Sequence, residues 1–64
     1  MSQILNKPLS QTEKSYQLDM LQGNINRLAV SQDIVEITQM LNFAVGRLTL
    51  IAQSRAIELR DKTK

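Results

Sequence analysis

The stretch IVEITQMLNFAVGRLTLI, from Ile34 to Ile51, decides the fold of this 64-residue chain. Its apolar residues recur at alternating intervals of three and four, the spacing of a helix face that packs against another helix. The residues with this spacing are Ile34, Ile37, Leu41, Ala44, Leu48 and Ile51. Nothing in the sequence ends the pattern before about Arg60, so it predicts one long helix.

The charges around this stretch match the helix dipole. Asp33 and Glu36 lie in the first predicted turn, where a helix favours negative charge, and basic residues gather near the C-terminal end. Ser31 has the residue type of an N-cap. We therefore predict the second helix over residues 31–61, with residues 62–64 as a tail.

A first helix is predicted over residues 10–29. Ser10 and Glu13 have the spacing of a capping box, in which each side chain satisfies a free backbone donor of the other residue. The apolar residues that follow at intervals of three and four are Leu18, Leu21, Ile25 and Leu28. Because the connection to the second helix is only two or three residues long, the two helices form an antiparallel hairpin.

Residues 1–9 are predicted to form an extended arm. Pro8 biases the preceding Lys7 away from helical geometry, and Ile4, Leu5 and Leu9 provide apolar anchors. The arm could fold back on the longer second helix, or another chain could cover that helix instead.

The chain is short enough to need help in folding. Residues 1–64 form a single all-α domain, and a chain of this size buries only about 60% of its surface. It has no cysteine and no histidine, so neither a disulfide nor a typical zinc site can stabilise it. We therefore expect a homodimer of hairpins, packed like a coiled coil into a four-helix bundle.

A second apolar stripe on the long helix is the predicted contact site. Its members Phe43, Leu50 and Ile57 lie more than about 100° around the helix from Leu41 and Leu48, on a side that we expect the hairpin to leave free. This predicted dimer or partner interface consists of Met40, Phe43, Arg47, Leu50 and Ile57. Tyr16 and Met20, one turn apart on the first helix, form a secondary predicted contact.

Composition excludes the common kinds of catalytic site. Without histidine or cysteine, the usual general bases, nucleophiles and metal ligands are missing, and the acidic residues are spread along the helices. We expect a non-enzymatic adaptor, regulator or inhibitor that binds a protein, without cofactor, metal or small-molecule substrate. We expect it in the cytoplasm and not in a membrane, because it lacks a charged leader and Arg47 interrupts its most apolar stretch.

Two alternatives stay open at this stage. One is a structural role as a hairpin dimer. In the other, the second helix breaks after Leu41, Asn42 takes the turn, and Arg47 and Gln53 face DNA as in a helix-turn-helix regulator. Nucleic acid is the less favoured partner because the net charge is only +2 and the basic residues form no concentrated face.

Two segments resemble known families. The stretch from Ser31 to Asn42 resembles the second-helix motif of small aspartyl-phosphate phosphatases that act on response regulators, although that motif ends in aspartate where this chain has Asn42. This resemblance implies binding to a response regulator. The second segment lies in the first helix and is similar to phycobilisome degradation proteins, which implies a dimeric adaptor. Its matching residues are Glu13, Tyr16, Leu18, Ile25 and Leu28.

Overall fold

The computed structural model describes residues 5–62 and has two helices that pack against each other as an antiparallel hairpin. Helix α1 spans Gln11–Val30 and helix α2 spans Ile34–Lys62, joined by residues 31–33. The predicted all-α hairpin is confirmed. Helix α2 is continuous through Asn42, so the predicted alternative in which it breaks after Leu41 is wrong.

The helix ends follow local capping chemistry. Ser10 caps α1, and its side chain accepts from the backbone N–H of Glu13 at 3.1 Å while the Glu13 carboxylate accepts from the backbone N–H of Ser10 at 3.3 Å. Ser31 ends α1, since its N–H donates to the carbonyl of Arg27 at 3.0 Å. The Asp33 carboxylate then accepts from the N–H of Val35 at 3.0 Å. For this reason α2 begins at Ile34, three residues later than predicted.

The N-terminal arm folds back onto α2. The N–H of Leu9 donates to Ser54 Oγ at 2.9 Å, and the N–H of Leu5 donates to Gln53 Oε1 at 3.4 Å. Leu5, Pro8 and Leu9 are half-buried, whereas Ile4 lies outside the described residues. The arm therefore covers part of the C-terminal half of α2, one of the two arrangements that the sequence allowed.

The described chain forms a single layer of two helices. Its principal extents are 48 × 24 × 15 Å, and the smallest of these is little more than one helix diameter. Among residues 5–62, the buried apolar side chains are Leu21, Ala44 and Ile57. Stable domains usually enclose a core between two or more layers, and this hairpin supplies one of them.

Candidate interaction surface

The side of α2 that faces α1 carries a polar cluster. Arg47 lies between the helices and donates from Nε to Asn24 Oδ1 at 3.0 Å and from Nη1 to Gln17 Oε1 at 2.9 Å. Asn24 is buried, and its Nδ2 lies 3.6 Å from the sulfur of Met40. These bonds are specific to one alignment of the helices, so the cluster fixes how α1 and α2 are paired.

Ion pairs close both ends of the hairpin. Lys14 Nζ lies 2.9 Å from Glu58 Oε2, and Arg55 Nη1 lies 3.2 Å from Glu58 Oε1. The hydrogen bond from Lys14, followed by that from Arg55, lowers the pKa of Glu58 below its ordinary value of 4.5. Both pairs are partly open to solvent, which limits their contribution to stability.

At the connection between the helices, Glu36 makes the equivalent contacts. Ser31 Oγ donates to Glu36 Oε1 at 2.6 Å, and Arg27 Nε lies 2.8 Å from Glu36 Oε2. The Ser31 hydrogen bond, followed by that from Arg27, lowers the pKa of Glu36. Glu36 therefore stabilises the hairpin turn within this chain.

Most of the predicted contact stripe faces inward. Met40, Arg47 and Leu50 are half-buried and Ile57 is buried, so the expectation that the hairpin leaves this side free is wrong for these four residues. Arg47 finds its acceptors on α1, and the arm bonds to α2 in the neighbourhood of Leu50 and Ile57. Phe43 is exposed. Whether any of the five residues binds a partner stays a prediction.

The predicted secondary contact, Tyr16 and Met20, is exposed on α1. Its role in binding stays a prediction as well.

The predicted packing face is divided between the inner side and the surface. The prediction holds for buried Leu21 and Ala44 and for half-buried Leu28, Ile37 and Ile51. The other predicted packing residues are exposed: Leu18, Ile25, Ile34, Leu41 and Leu48.

Leu18 and Ile25 follow Gln17 and Asn24 by one residue, and Leu48 follows Arg47 by one residue. Gln17, Asn24 and Arg47 meet between the helices. Because the helices are antiparallel, Leu18, Ile25 and Leu48, which follow these three residues, all lie on one side of the hairpin. We call the resulting surface the outer apolar face. It consists of the exposed residues Leu18, Ile25, Ile34, Leu41, Val45 and Leu48.

The outer apolar face is extensive for so small a chain. From Ile34 to Leu48 it runs roughly 20 Å along α2, and it is two helices wide. Ile34 is 80% exposed, and Leu41, Val45 and Leu48 are each 52% exposed. Exposed apolar patches on small proteins are typical of interaction sites, which makes this face a candidate contact surface.

The sequence contains the signal that distinguishes the two sides, but apolar spacing alone does not show it. On α1, the positions that face α2 also alternate at intervals of three and four: Lys14, Gln17, Leu21, Asn24 and Leu28. Three of these residues, Lys14, Gln17 and Asn24, are polar. Polar residues on α2, including Arg47 and Glu58, match that pattern. Pairing polar positions between the helices would have predicted the inner side correctly.

The described residues offer no metal site, since residues 5–62 contain no group of three or more histidine, cysteine, aspartate or glutamate side chains able to hold an ion.

By length and composition, α2 is apolar enough to cross a membrane. An 18-residue window of this helix has a mean hydropathy of 1.3, and 6% of the window is buried in the structure. Its exposed apolar residues account for both the low burial and the high hydropathy. A helix that packs against a partner protein has the same composition.

Comparison with protein families, with curated proteins and with solved structures finds no match for this chain. Neither of the two resemblances in the sequence therefore gains support.

Proposed function

We propose that this chain is a non-enzymatic protein-interaction module of the cytoplasm that self-associates through its outer apolar face into a four-helix bundle. The observation that carries the proposal is the pairing of a single helix layer, 15 Å thick, with an apolar surface that spans both helices. A second layer on that surface would complete a core.

The spacing of the outer residues on α2 favours a helical partner. Ile34, Leu41 and Leu48 repeat every seven residues, and Thr38, Val45 and Ala52 repeat every seven between them. Together they have the four-three alternation of a coiled-coil seam, next to the seam that faces α1. A helix with two adjacent seams contacts two neighbours, as helices in four-helix bundles do.

A second copy of the chain is the partner that fits this surface best. Both helices contribute apolar residues to the same side, so a two-fold axis through the face brings like against like over its whole length. The six residues of the face carry no charge, whereas selection of a charged partner would need complementary charges. A second copy offers the same length, width and apolar character.

The cations of the hairpin support a protein partner over nucleic acid. Lys14 and Arg55 both pair with Glu58, and Arg27 pairs with Glu36. Basic side chains that are already neutralised by acids within the chain form a weak electrostatic footprint for phosphate.

The experiment that tests the proposal is light scattering on a size-exclusion column over a concentration series, with and without anionic lipid vesicles. We expect a mass of 14.6 kDa, twice the 7.3 kDa of one chain, and no binding to vesicles. A monomer that associates with vesicles would contradict the proposal and would assign the outer apolar face to a membrane surface. A monomer that ignores vesicles would contradict it too.

A further inference from the structure

The N-terminal arm packs on a different side of α2 from the outer apolar face, and we call the surface of α2 beneath the arm the groove. Gln53, which accepts from Leu5, lies about 140° around the helix from Leu48. Ser54, which accepts from Leu9, is 0% exposed, and Ile57 in the next turn is also buried. A segment with no regular secondary structure thus closes this part of α2.

The described part of the arm, residues 5–9, contacts α2 through backbone hydrogen bonds and apolar side chains. Within residues 5–9, the hydrogen bonds to α2 come from the backbone N–H groups of Leu5 and Leu9, and the half-buried side chains are Leu5, Pro8 and Leu9. The side chains of Asn6 and Lys7 are exposed. A terminal segment without regular secondary structure opens locally far more often than a helical hairpin unfolds.

We propose that this groove is a docking site for an extended apolar segment, and that the arm is its resident, displaceable ligand. The structure shows the chemistry of a fitting competitor. Such a segment is extended, carries leucine-like side chains four residues apart, and offers a backbone N–H to Ser54 Oγ at the second of them. The hydroxyl of Ser54 is the specific element, because it is fully buried and accepts the shorter of the two arm bonds at 2.9 Å.

This site goes beyond the proposed dimer because it would recruit a different protein. The outer apolar face would hold two copies together, while the two grooves would stay available on other sides of the bundle. A partner that supplies an arm-like segment would replace the arm without disturbing the helices.

Competition with a labelled peptide tests the proposal on the full-length chain. The probe is a fluorescent peptide of residues 1–10, and the receptor is the chain with Leu5→Ser and Leu9→Ser, which weaken its own arm. We expect this receptor to bind the probe at least about tenfold more tightly than the wild-type chain, whose tethered arm competes at an effective concentration of the order of millimolar. Equal binding by the two chains, or no saturable binding by either, would overturn the proposal.

The specific hydrogen bond is tested with a modified probe. Methylation of the backbone nitrogen of Leu9 in the peptide removes the donor to Ser54, and we expect binding to weaken by at least about fivefold. Ser54→Ala in the receptor removes the acceptor, so the two peptides should then bind alike. If the methylated peptide binds the Ser54 receptor as well as the unmodified one does, the groove does not read the N–H and the proposal is wrong.

Hydrogen exchange on the unaltered chain provides an independent test, which does not rely on the variants folding. The amide of Leu9 should exchange at least about tenfold faster than that of Leu50, because the arm opens without unfolding α2. Exchange of the Leu9 amide at the rate of the slowest α2 amides would show that the arm does not open separately. The solution mass of the Leu5→Ser, Leu9→Ser chain should equal that of the wild type. A failure of the docking proposal can therefore be distinguished from a failure of the proposed dimer.

Discussion

The two sides of α2 differ in a way that apolar spacing does not anticipate. The inner side carries Arg47, Ser54 and Glu58, each bonded to α1 or to the arm, whereas the outer side carries Leu41 and Leu48, each half-exposed. A more apolar side would be expected to face the neighbouring helix. In this hairpin, complementary polar groups take part in the pairing within the chain, and an apolar side of α2 remains exposed.

The largest expected effect comes from a charge on the outer apolar face. Leu48→Asp should weaken dimerisation by at least about 100-fold, because each copy would bury an unpaired carboxylate at the interface. Phe43→Asp is the matched control, since Phe43 and Leu48 are both 52% exposed but lie on different sides of α2. Sedimentation equilibrium of the two variants gives the dissociation constants.

The reverse result would restore the original assignment. A Phe43→Asp chain that dissociates, together with a Leu48→Asp chain that stays dimeric, would mean that the stripe containing Phe43 is the true interface.

A smaller effect is expected on the inner side. Arg47→Ala leaves buried Asn24 and half-buried Gln17 without their donor, so the free energy of unfolding should fall by about 2 kcal/mol. Arg55→Ala, which removes an exposed partner of Glu58, should cost less than about 1 kcal/mol. Urea unfolding monitored by circular dichroism measures both. Equal losses would show that the cluster around Arg47 contributes no more than a surface ion pair.

Gly46 provides a probe of α2 away from both sides. A methyl group added at this position would meet no atom within 4 Å. Gly46→Ala should therefore raise the free energy of unfolding by about 0.5–1 kcal/mol through helix propensity alone. The dimer dissociation constant, measured on the same sample, should not change. A destabilised or dissociated Gly46→Ala chain would indicate that something packs on this third side.

The smallest effect concerns pH. The pKa values of Glu36 and Glu58 are lowered in the folded chain, by hydrogen bonds from Ser31 and Lys14 respectively before any other cause. Their contribution to stability is thus present above about the ordinary value of 4.5 and is lost as pH falls below it. Thermal unfolding between neutral pH and pH 3 should show a decline that is smaller in Glu58→Gln. An identical decline in that variant would exclude Glu58 as a contributor.

The fold was predictable because its determinants are local. The capping box at Ser10 and the short connection to α2 specify a hairpin without reference to distant contacts. The start of α2 was placed too early because Ser31 and Asp33 both have cap chemistry, and only the structure shows that Ser31 ends α1.

The exposure of the outer apolar face was not predictable from the same reasoning. Two apolar stripes on α2 fit a helix neighbour equally well when each is considered alone. The choice between them depends on which polar residues of α1 contact Arg47. These residues, Asn24 and Gln17, are separated from Arg47 by 23 and 30 positions in the sequence. The apolar periodicity of either helix taken separately carries no information about that contact.

The most direct test of the account is an isotope-filtered nuclear Overhauser experiment on a mixture of labelled and unlabelled chains. This experiment detects only contacts between two different copies of the chain. The account predicts interchain signals among the methyl groups of Leu18, Leu41 and Leu48, and none at Met40 or Phe43. Interchain signals at Phe43 without any at Leu41 or Leu48 would contradict it.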